Sequence, residues 1–220
     1  KLRTLPVQSA NSEIAVIIPA RNEEKTISQL LNAIKQSEIA PTELVVVDDH
    51  STDKTAEIAQ SLGAKVIKSQ DLPLGWTGKT FALFQGVQAT KSDVILFLDA
   101  DTKPNKNLIG KMSYALKQNG GLISIQPFHE MKSIYERFAS VFNLIGAIGA
   151  RLGEKDGLAF GPALMLNRVD LEKVGGIQIV KSQLLEDRAL GLLFQKNNLD
   201  VNTYIGSKDI SFQMYPDGIK

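Results

Sequence analysis

The 220-residue chain contains no cysteine, so disulfides and thiolate metal sites are excluded. That absence fits a reducing compartment. Net charge is also missing: 25 Lys and Arg against 24 Asp and Glu leave +1 with His neutral. The composition therefore carries no nucleic-acid footprint, and nucleic acid is not an expected partner. No long hydrophobic run is present. The longest apolar stretch, 138–150, falls short of the roughly 20 residues that a spanning helix needs. No signal-peptide pattern, internal repeat, low-complexity tract or domain linker is visible. An apolar content of 43% supports a sizeable core, and the length suits one α/β domain, alone or with a small appendage. The chain opens on Lys1 and closes soon after a strand-like segment, and it reads as a piece excised from a longer protein.

What is present is an alternation of apolar strands and amphipathic helices. Residues 1–12 read as a polar tail. The continuous apolar run 14–18 predicts a strand covered on both faces, ended by Pro19. Over 23–36, Ile27, Leu30, Leu31 and Ile34 share one helical face. Residues 44–47 predict a second strand. Ser51, Thr52 and Asp53 offer an N-cap for a helix to Ser61, Gly63 stops it, and 65–67 predict a third strand. A polar loop over 69–78 leads into a helix over 79–89 and a strand over 94–98. The order βαβαβαβ implies a parallel, right-handed, doubly wound sheet. Beyond Asp101 the pattern loosens, with helices expected over 105–118, 133–151 and 184–195, and strands over 121–126, 160–166, 201–204 and 210–214.

The chemistry-bearing residues gather at strand ends. The fourth strand closes on Asp99-Ala100-Asp101. Carboxylates at i and i+2 of a strand point the same way, and the carboxyl edge of an open α/β sheet is where ligands bind. Oxygen-only ligation suits Mg²⁺ or Mn²⁺, which keep waters and bind substrate phosphates. The competing reading is a turn and cap before Thr102 and Pro104. After the first strand come Pro19-Ala20-Arg21-Asn22-Glu23-Glu24, where amides opening a helix attract anions. Glu23 and Glu24 equally suit the helix dipole. After the second come Asp48-Asp49-His50-Ser51-Thr52-Asp53. Asp49 is placed to accept from a ribose or base, Ser51 and Asp53 are turn formers and caps, and His50 is a solvated loop residue. Gly78-Lys79-Thr80 resembles a phosphate loop only in part, since that motif needs glycine where Pro73 stands and a strand before it. Lys79 can still meet a diphosphate as a point charge. Trp76, the sole tryptophan, either covers a substrate or fills a gap. Glu186 and Asp187 open a late helix, where an acid can deprotonate a nucleophile or simply favour the dipole beside Arg188.

Taken together, Val16-Ile17-Ile18-Pro19-Ala20-Arg21-Asn22-Glu23-Glu24, Val46-Val47-Asp48-Asp49, Gly78-Lys79, Leu98-Asp99-Ala100-Asp101 and Glu186-Asp187 resemble the family 2 glycosyltransferases with a GT-A fold. A narrower likeness, to the membrane-associated members acting on isoprenoid lipids such as carotenoids and hopanoids, lies in four segments. These are Gly75-Trp76-Thr77-Gly78-Lys79, Ser124-Ile125-Gln126-Pro127-Phe128-His129, Tyr135-Glu136-Arg137-Phe138 and Phe160-Gly161-Pro162.

The resemblance implies an α/β GT-A fold, a mostly parallel central sheet flanked by helices, as a single domain over 13–220 with 101–220 as its acceptor-side half. It implies that Pro19, Ala20, Arg21 and Glu23 line the nucleotide pocket, that Asp49 meets the base or ribose, and that Lys79 lies near the base or diphosphate. Asp99 would face the ribose, Asp101 the metal, and Gly161, Pro162 and Ala163 the sugar and acceptor. Asp187 would be the catalytic base, with Glu186 as the other candidate.

The implied activity is inverting transfer of a sugar, glucose by family weighting, from a nucleotide-diphosphate sugar, UDP-linked by the same weighting. The implied acceptor is an isoprenoid or carotenoid lipid, the cofactor Mg²⁺ or Mn²⁺, and the location the cytoplasmic face of the cell membrane, with this fragment itself soluble. The stretch 133–151, bearing Phe138, Phe142, Leu144 and Ile148, suits either a bilayer-surface helix or a core helix. Other readings are a polyprenyl-phosphate, lipid or polysaccharide transferase of the same family, a nucleotidyltransferase, or a non-catalytic sugar-nucleotide binding module. Fold does not decide among them.

Overall fold

Strand β1 (Ile14–Ala20) is buried along almost its whole length, because strands flank both its edges and helices cover both its faces. The computed structural model describes residues 4–6, 9, 12–129, 159, 161–206 and 209–212. Within them the chain continues through α1 (Ile27–Lys35), β2 (Glu43–Asp48), α2 (Thr55–Ser61), β3 (Lys65–Lys68), α3 (Gly78–Gln88) and β4 (Val94–Leu98). It then runs through β5 (Thr102–Pro104), α4 (Leu108–Asn119), β6 (Leu122–Gln126), β7 (Phe128–His129), β8 (Ala163–Asn167) and α5 (Arg168–Lys173). A 3₁₀ turn (Ile177–Val180), α6 (Glu186–Lys196), β9 (Val201–Ile205) and β10 (Ile210–Phe212) complete the described chain.

Seven of these strands form one sheet in the order β3-β2-β1-β4-β8-β6-β9, and β5-β10-β7 form a smaller one. The apolar alternation of the strands sorts the helices. Ile14, Val16 and Ile18 pack with Ile27, Leu30, Leu31 and Ile34 of α1 and Leu108 and Met112 of α4. Ile17, Val45, Val47, Ile95 and Phe97 pack on the other face with Ala82 and Leu83 of α3, Leu171 of α5 and Leu190 and Phe194 of α6. Each face thus removes a continuous apolar layer from water, the dominant favourable term in folding. The expected mostly parallel sheet flanked by helices is what the chain forms.

An entirely parallel sheet is not. β8 runs antiparallel to both β4 and β6, pairing Leu98 with Ala163 and Val94 with Asn167. The reversal brings the start of β8 to the carboxyl end of β4, directly beside Asp99. Other boundaries shift for local reasons. Helix α1 begins at Ile27 because Thr26 and Ile27 both donate to the Glu23 carbonyl in a preceding turn. Helix α4 begins at Leu108 because Thr102–Pro104 pairs with β10. The amino-terminal tail is partly fastened, with Thr4 bridging to Ile205 and Leu5 buried in the core. The stretch 133–151, the start of the strand expected from Phe160 and the end of the one expected to 214 lie outside the described residues. Among the described residues, no helix is long and apolar enough to cross a membrane.

At the opposite edge from the strand tips, Glu43 fastens β2 to the turn before β4. Its Oε1 accepts from the amides of Lys91 at 2.8 Å and Ser92 at 2.7 Å, and from Ser92 Oγ at 2.6 Å. Burial opposes its charge, but these hydrogen bonds and the nearby Arg168 outweigh burial and hold its carboxyl below the usual range.

Candidate active site

Because β1 and β2 are parallel and in register to Ala20 and Asp48, their exit loops leave the sheet side by side. The Asp49 amide donates to the Ala20 carbonyl at 2.8 Å. Asn22 and His50 both turn the chain in the left-handed region, at φ 57° each, which Asn and His tolerate better than branched residues. The amides of Asn22, Glu23 and Glu24 then donate to Ser51 Oγ, Thr55 Oγ1 and Asp53 Oδ2 at 3.0, 2.7 and 3.1 Å. The expectation that these amides attract an anion is therefore corrected: the neighbouring loop's side chains have taken them. Asp53 also accepts from the Thr55 amide at 2.9 Å, from one position before the N-cap, which is Lys54 and not one of the expected Ser51, Thr52 and Asp53.

Asp49 lies against the opening of α3. A Cβ on Gly78 would stand only 2.6 Å from Asp49 Oδ2, so the carboxylate occupies the space that a side chain would need. Its negative charge suits the helix N-terminus. Arg21 Nη1 is 3.8 Å from Asp49 Oδ2, and His50 Nδ1 is 3.2 Å from Oδ1. The contact from His50 was not foreseen; its place next to Asp49 was the only signal. Trp76 is half-buried and packs within the chain, its ring centroid 5.2 Å from Phe81 and 5.1 Å from Phe84.

The Asp99-Ala100-Asp101 segment does not follow the strand period. β4 ends at Leu98, and the Asp99 carbonyl accepts from Thr102 N at 3.1 Å and Thr102 Oγ1 at 2.7 Å, closing a turn. The turn separates the two acids. Asp99 faces Lys79, whose Nζ lies 2.9 Å from Asp99 Oδ1 and 2.9 Å from Glu186 Oε1. Burial works against the Lys79 charge, but Asp99 and Glu186 raise its pKa well above the ordinary lysine value. Asp99 is pushed up by burial, with Lys79 opposing. Asp101, although exposed, is pushed up by partial desolvation and by the charge of Glu23.

Glu186 and Asp187 open α6, but their surroundings differ. Glu186 is nearly buried and held by Lys79. Asp187 is pushed up by burial, moderated by hydrogen bonds from the Arg188 and Gly161 amides and raised further by Glu186. A Cβ on Gly161 would come within 2.9 Å of Asp187 Oδ2, so the glycine admits the carboxylate. Next to it, the Pro162 carbonyl accepts from the Asp99 amide at 3.1 Å. Ala163 is fully buried in the core, so only its backbone adjoins these groups.

A cavity of about 340 Å³ opens at this edge, lined by Pro19, Ala20, Arg21, Glu23, Asp49, Lys79, Asp99 and Asp101, with Ala82 and Ala100. The first eight are the donor-side and metal candidates of the sequence. Ala82 went unnoticed, although its spacing of three from Lys79 puts it on the same helical face. Gly161, Pro162, Ala163, Glu186 and Asp187 stand outside the lining. Glu186 is joined to it through Lys79, and Gly161 and Pro162 through Asp187 and Asp99. Among the described residues, no three acidic or imidazole groups converge to hold a metal by themselves. The donor set is instead the exposed Asp101 carboxylate, raised by partial desolvation and by the nearby charge of Glu23, with Asp99 neutralised by lysine. That set fits a hard cation completed by phosphate oxygens and water, and a cation there would relieve the repulsion between Glu23 and Asp101.

Residues 15–174 match the family model for Glycosyl transferase family 2. The chain belongs to that family. This family 2 chain is 38% identical over 218 residues to a 4,4'-diaponeurosporenoate glycosyltransferase of Staphylococcus haemolyticus, a match covering 94% of the chain and 58% of the relative. It is 36% identical over 230 residues to the protein of that name from Staphylococcus aureus, covering all of this chain and 61% of the other. The chain thus spans about three-fifths of the length of these relatives. In fold it is similar to glucosyl-3-phosphoglycerate synthase from Mycobacterium tuberculosis, solved with Mn²⁺, UDP and phosphoglyceric acid. There the TM-score is 0.65 and the identity 23%, over 93% of this chain and 76% of that one. It is also similar to mannosyltransferase PcManGT from Pyrobaculum calidifontis, solved with GDP-Man and Mn²⁺, at a TM-score of 0.70 and 17% identity over 97% of this chain and 59% of that one.

Proposed function

We propose that the chain is the donor-binding and catalytic region, one domain over 13–220, of an inverting glycosyltransferase. It moves a sugar, glucose in our reading, from a UDP-linked or related nucleotide sugar to an isoprenoid or carotenoid lipid at the cytoplasmic face of the membrane. The observation that carries this reading is the convergence of Asp49, Lys79, Asp99 and Asp101 on one cavity with Asp187 close behind it. Family membership and the lipid acids in the relatives' names support the substrate class.

In this reading Pro19, Ala20, Arg21, Glu23 and Asp49 hold the nucleoside, and Asp99 aligns the ribose while neutralised by Lys79. Asp101 would hold a Mg²⁺ or Mn²⁺ ion, which would supply charge neutralisation for the diphosphate. The acceptor oxygen attacks the anomeric carbon as the bond to the diphosphate breaks, and the electron pair leaves with the diphosphate. Asp187 takes the proton of a hydroxyl acceptor, or orients a carboxylate acceptor that has none to lose. Its raised pKa makes it a stronger proton acceptor than an ordinary aspartate, while Glu186 is engaged by Lys79. Gly161, Pro162 and the Ala163 backbone border the sugar. Holding both substrates in one cleft supplies much of the rate.

The test is the full-length protein with UDP-glucose, Mn²⁺ and a detergent-dispersed isoprenoid acid. Release of UDP with formation of an anomerically inverted glycolipid is expected. Release of pyrophosphate instead, or donor binding with no turnover over a panel of nucleotide sugars and lipids, overturns the reading in favour of a nucleotidyltransferase or a binding module.

A further inference from the structure

Large aliphatic side chains stand out from two neighbouring segments beside the cavity. In the loop before α3, Leu74 is fully exposed and Leu72 half-exposed. Between the 3₁₀ turn and α6, Leu184 is 88% exposed and Leu185 more than half exposed, as is Ile179 within the turn itself. The two segments are fastened together. The Lys181 carbonyl accepts from the Thr77 amide at 2.9 Å and from Thr80 Oγ1 at 2.9 Å. Leu74 and Leu184 each lie three residues from this joint.

The Leu74 tip is a built feature. The Trp76 amide donates to the Pro73 carbonyl at 3.2 Å, and Gly75 takes φ 82°, closing a tight turn with Leu74 at its outer end. Trp76 roots that turn on Phe81 and Phe84. Both segments are poor in charge. Residues 69–78 hold only Asp71, whose carboxylate lies 3.9 Å from His50 Nε2, and residues 177–185 hold only Lys181. Exposed aliphatics gathered in this way mark an interaction surface.

We infer that these two loops form a docking edge that inserts into the surface of a bilayer containing anionic lipid. The shape selects this partner. Leu74 and Leu184 are almost wholly exposed, so they fit the plane of a membrane better than the enclosure of a single lipid chain. Lys181 is exposed and three residues before Leu184, and its long side chain supplies a cation able to snorkel to anionic headgroups. The edge also adjoins the chemistry, because Lys79 in the first turn of α3 holds Glu186, the residue after Leu185. A membrane seated here presents a lipid headgroup to Asp187. The inference rests on the proposed lipid acceptor for why a membrane is met, while membrane binding itself needs no sugar donor.

The sole tryptophan reports on it directly. Trp76 fluorescence is measured as the chain is titrated with phosphatidylcholine–phosphatidylglycerol vesicles, with and without bromine on the acyl chains, alongside co-sedimentation. Bound protein with bromine-dependent quenching is expected, and Leu74→Asp with Leu184→Asp should weaken vesicle partitioning by about tenfold or more. Circular dichroism and nucleotide-sugar calorimetry should match the parent, which separates loss of docking from loss of fold or donor site. No vesicle binding by the parent, or equal binding by the double variant, overturns the inference. So does sedimentation showing a dimer that the double variant loses, because a second copy would then cover the edge. Sugar transfer to a detergent-dispersed acceptor, measured on the same samples, shows whether the proposed activity stands regardless.

Discussion

Lys79 Nζ stands 2.9 Å from Glu186 Oε1 and so ties the first turn of α3 to the first turn of α6. The same amine holds Asp99, and one cation thus joins the donor side of the cleft to the helix that carries Asp187. Lys79→Met leaves two acids facing each other without a counter-charge. A loss of about 1–2 kcal/mol in urea unfolding is expected, less than for a fully buried pair because the lysine is partly exposed. Donor affinity should fall with it.

Glu186 and Asp187 should separate kinetically. Asp187→Asn is expected to lower kcat by about 10²–10⁴-fold on a hydroxyl acceptor, the range for removing a general base. Glu186→Gln keeps an oxygen for Lys79 and should cost less than about tenfold. Steady-state kinetics on the two variants settles the assignment.

The raised pKa of Asp187 has a second consequence. A carboxyl whose folded pKa lies above its unfolded value favours folding in the protonated form. That contribution is present below the unfolded pKa and lost as pH rises through the folded one. At neutral pH the ionised group works against the fold. Asp187→Asn should therefore keep or raise Tm while activity is lost, and the acid limb of kcat/KM should lie above the ordinary aspartate range.

Gly161 tests the position of the same carboxylate. In Gly161→Ala the new Cβ would meet Asp187 Oδ2 at 2.9 Å and Cγ at 3.2 Å. A side-chain end can swing aside, so Tm should move little. The displaced carboxylate should cost about tenfold or more in kcat, since small misplacements of a reacting group are expensive. An unchanged kcat places the base elsewhere.

Strands and cavity residues were legible where period and register act together. The apolar runs 14–18 and 94–98 could only be covered strands, and parallel register then sends Pro19, Asp49 and Asp99 to one edge. The antiparallel β8 was not legible, because Ala163–Asn167 is as apolar as its neighbours and direction leaves no mark in composition. Nor was the engagement of the Asn22, Glu23 and Glu24 amides by Ser51, Thr55 and Asp53, since side-chain capping between separate loops depends on their spacing in space. The Asp-x-Asp pair was found by strand reasoning although it lies on a turn. Both acids line the cavity because the turn stays at the strand tip, one facing Lys79 and the other subject to the charge of Glu23.

Glu43 supplies a test of the fold away from the site. Its depressed pKa means that its contribution is present above the ordinary glutamate value and lost as pH falls through the folded one. Glu43→Gln should cost about 1 kcal/mol or more in urea unfolding at pH 7. The difference from the parent should shrink in acid, once the carboxyl of the parent is protonated.

The most direct test of the cation-assisted donor site is calorimetry of a UDP-sugar against the parent chain and Asp101→Ala, each with and without Mn²⁺. The account predicts that Mn²⁺ strengthens donor binding to the parent and has no such effect on the variant. Equal, Mn²⁺-dependent affinity in both proteins would contradict it.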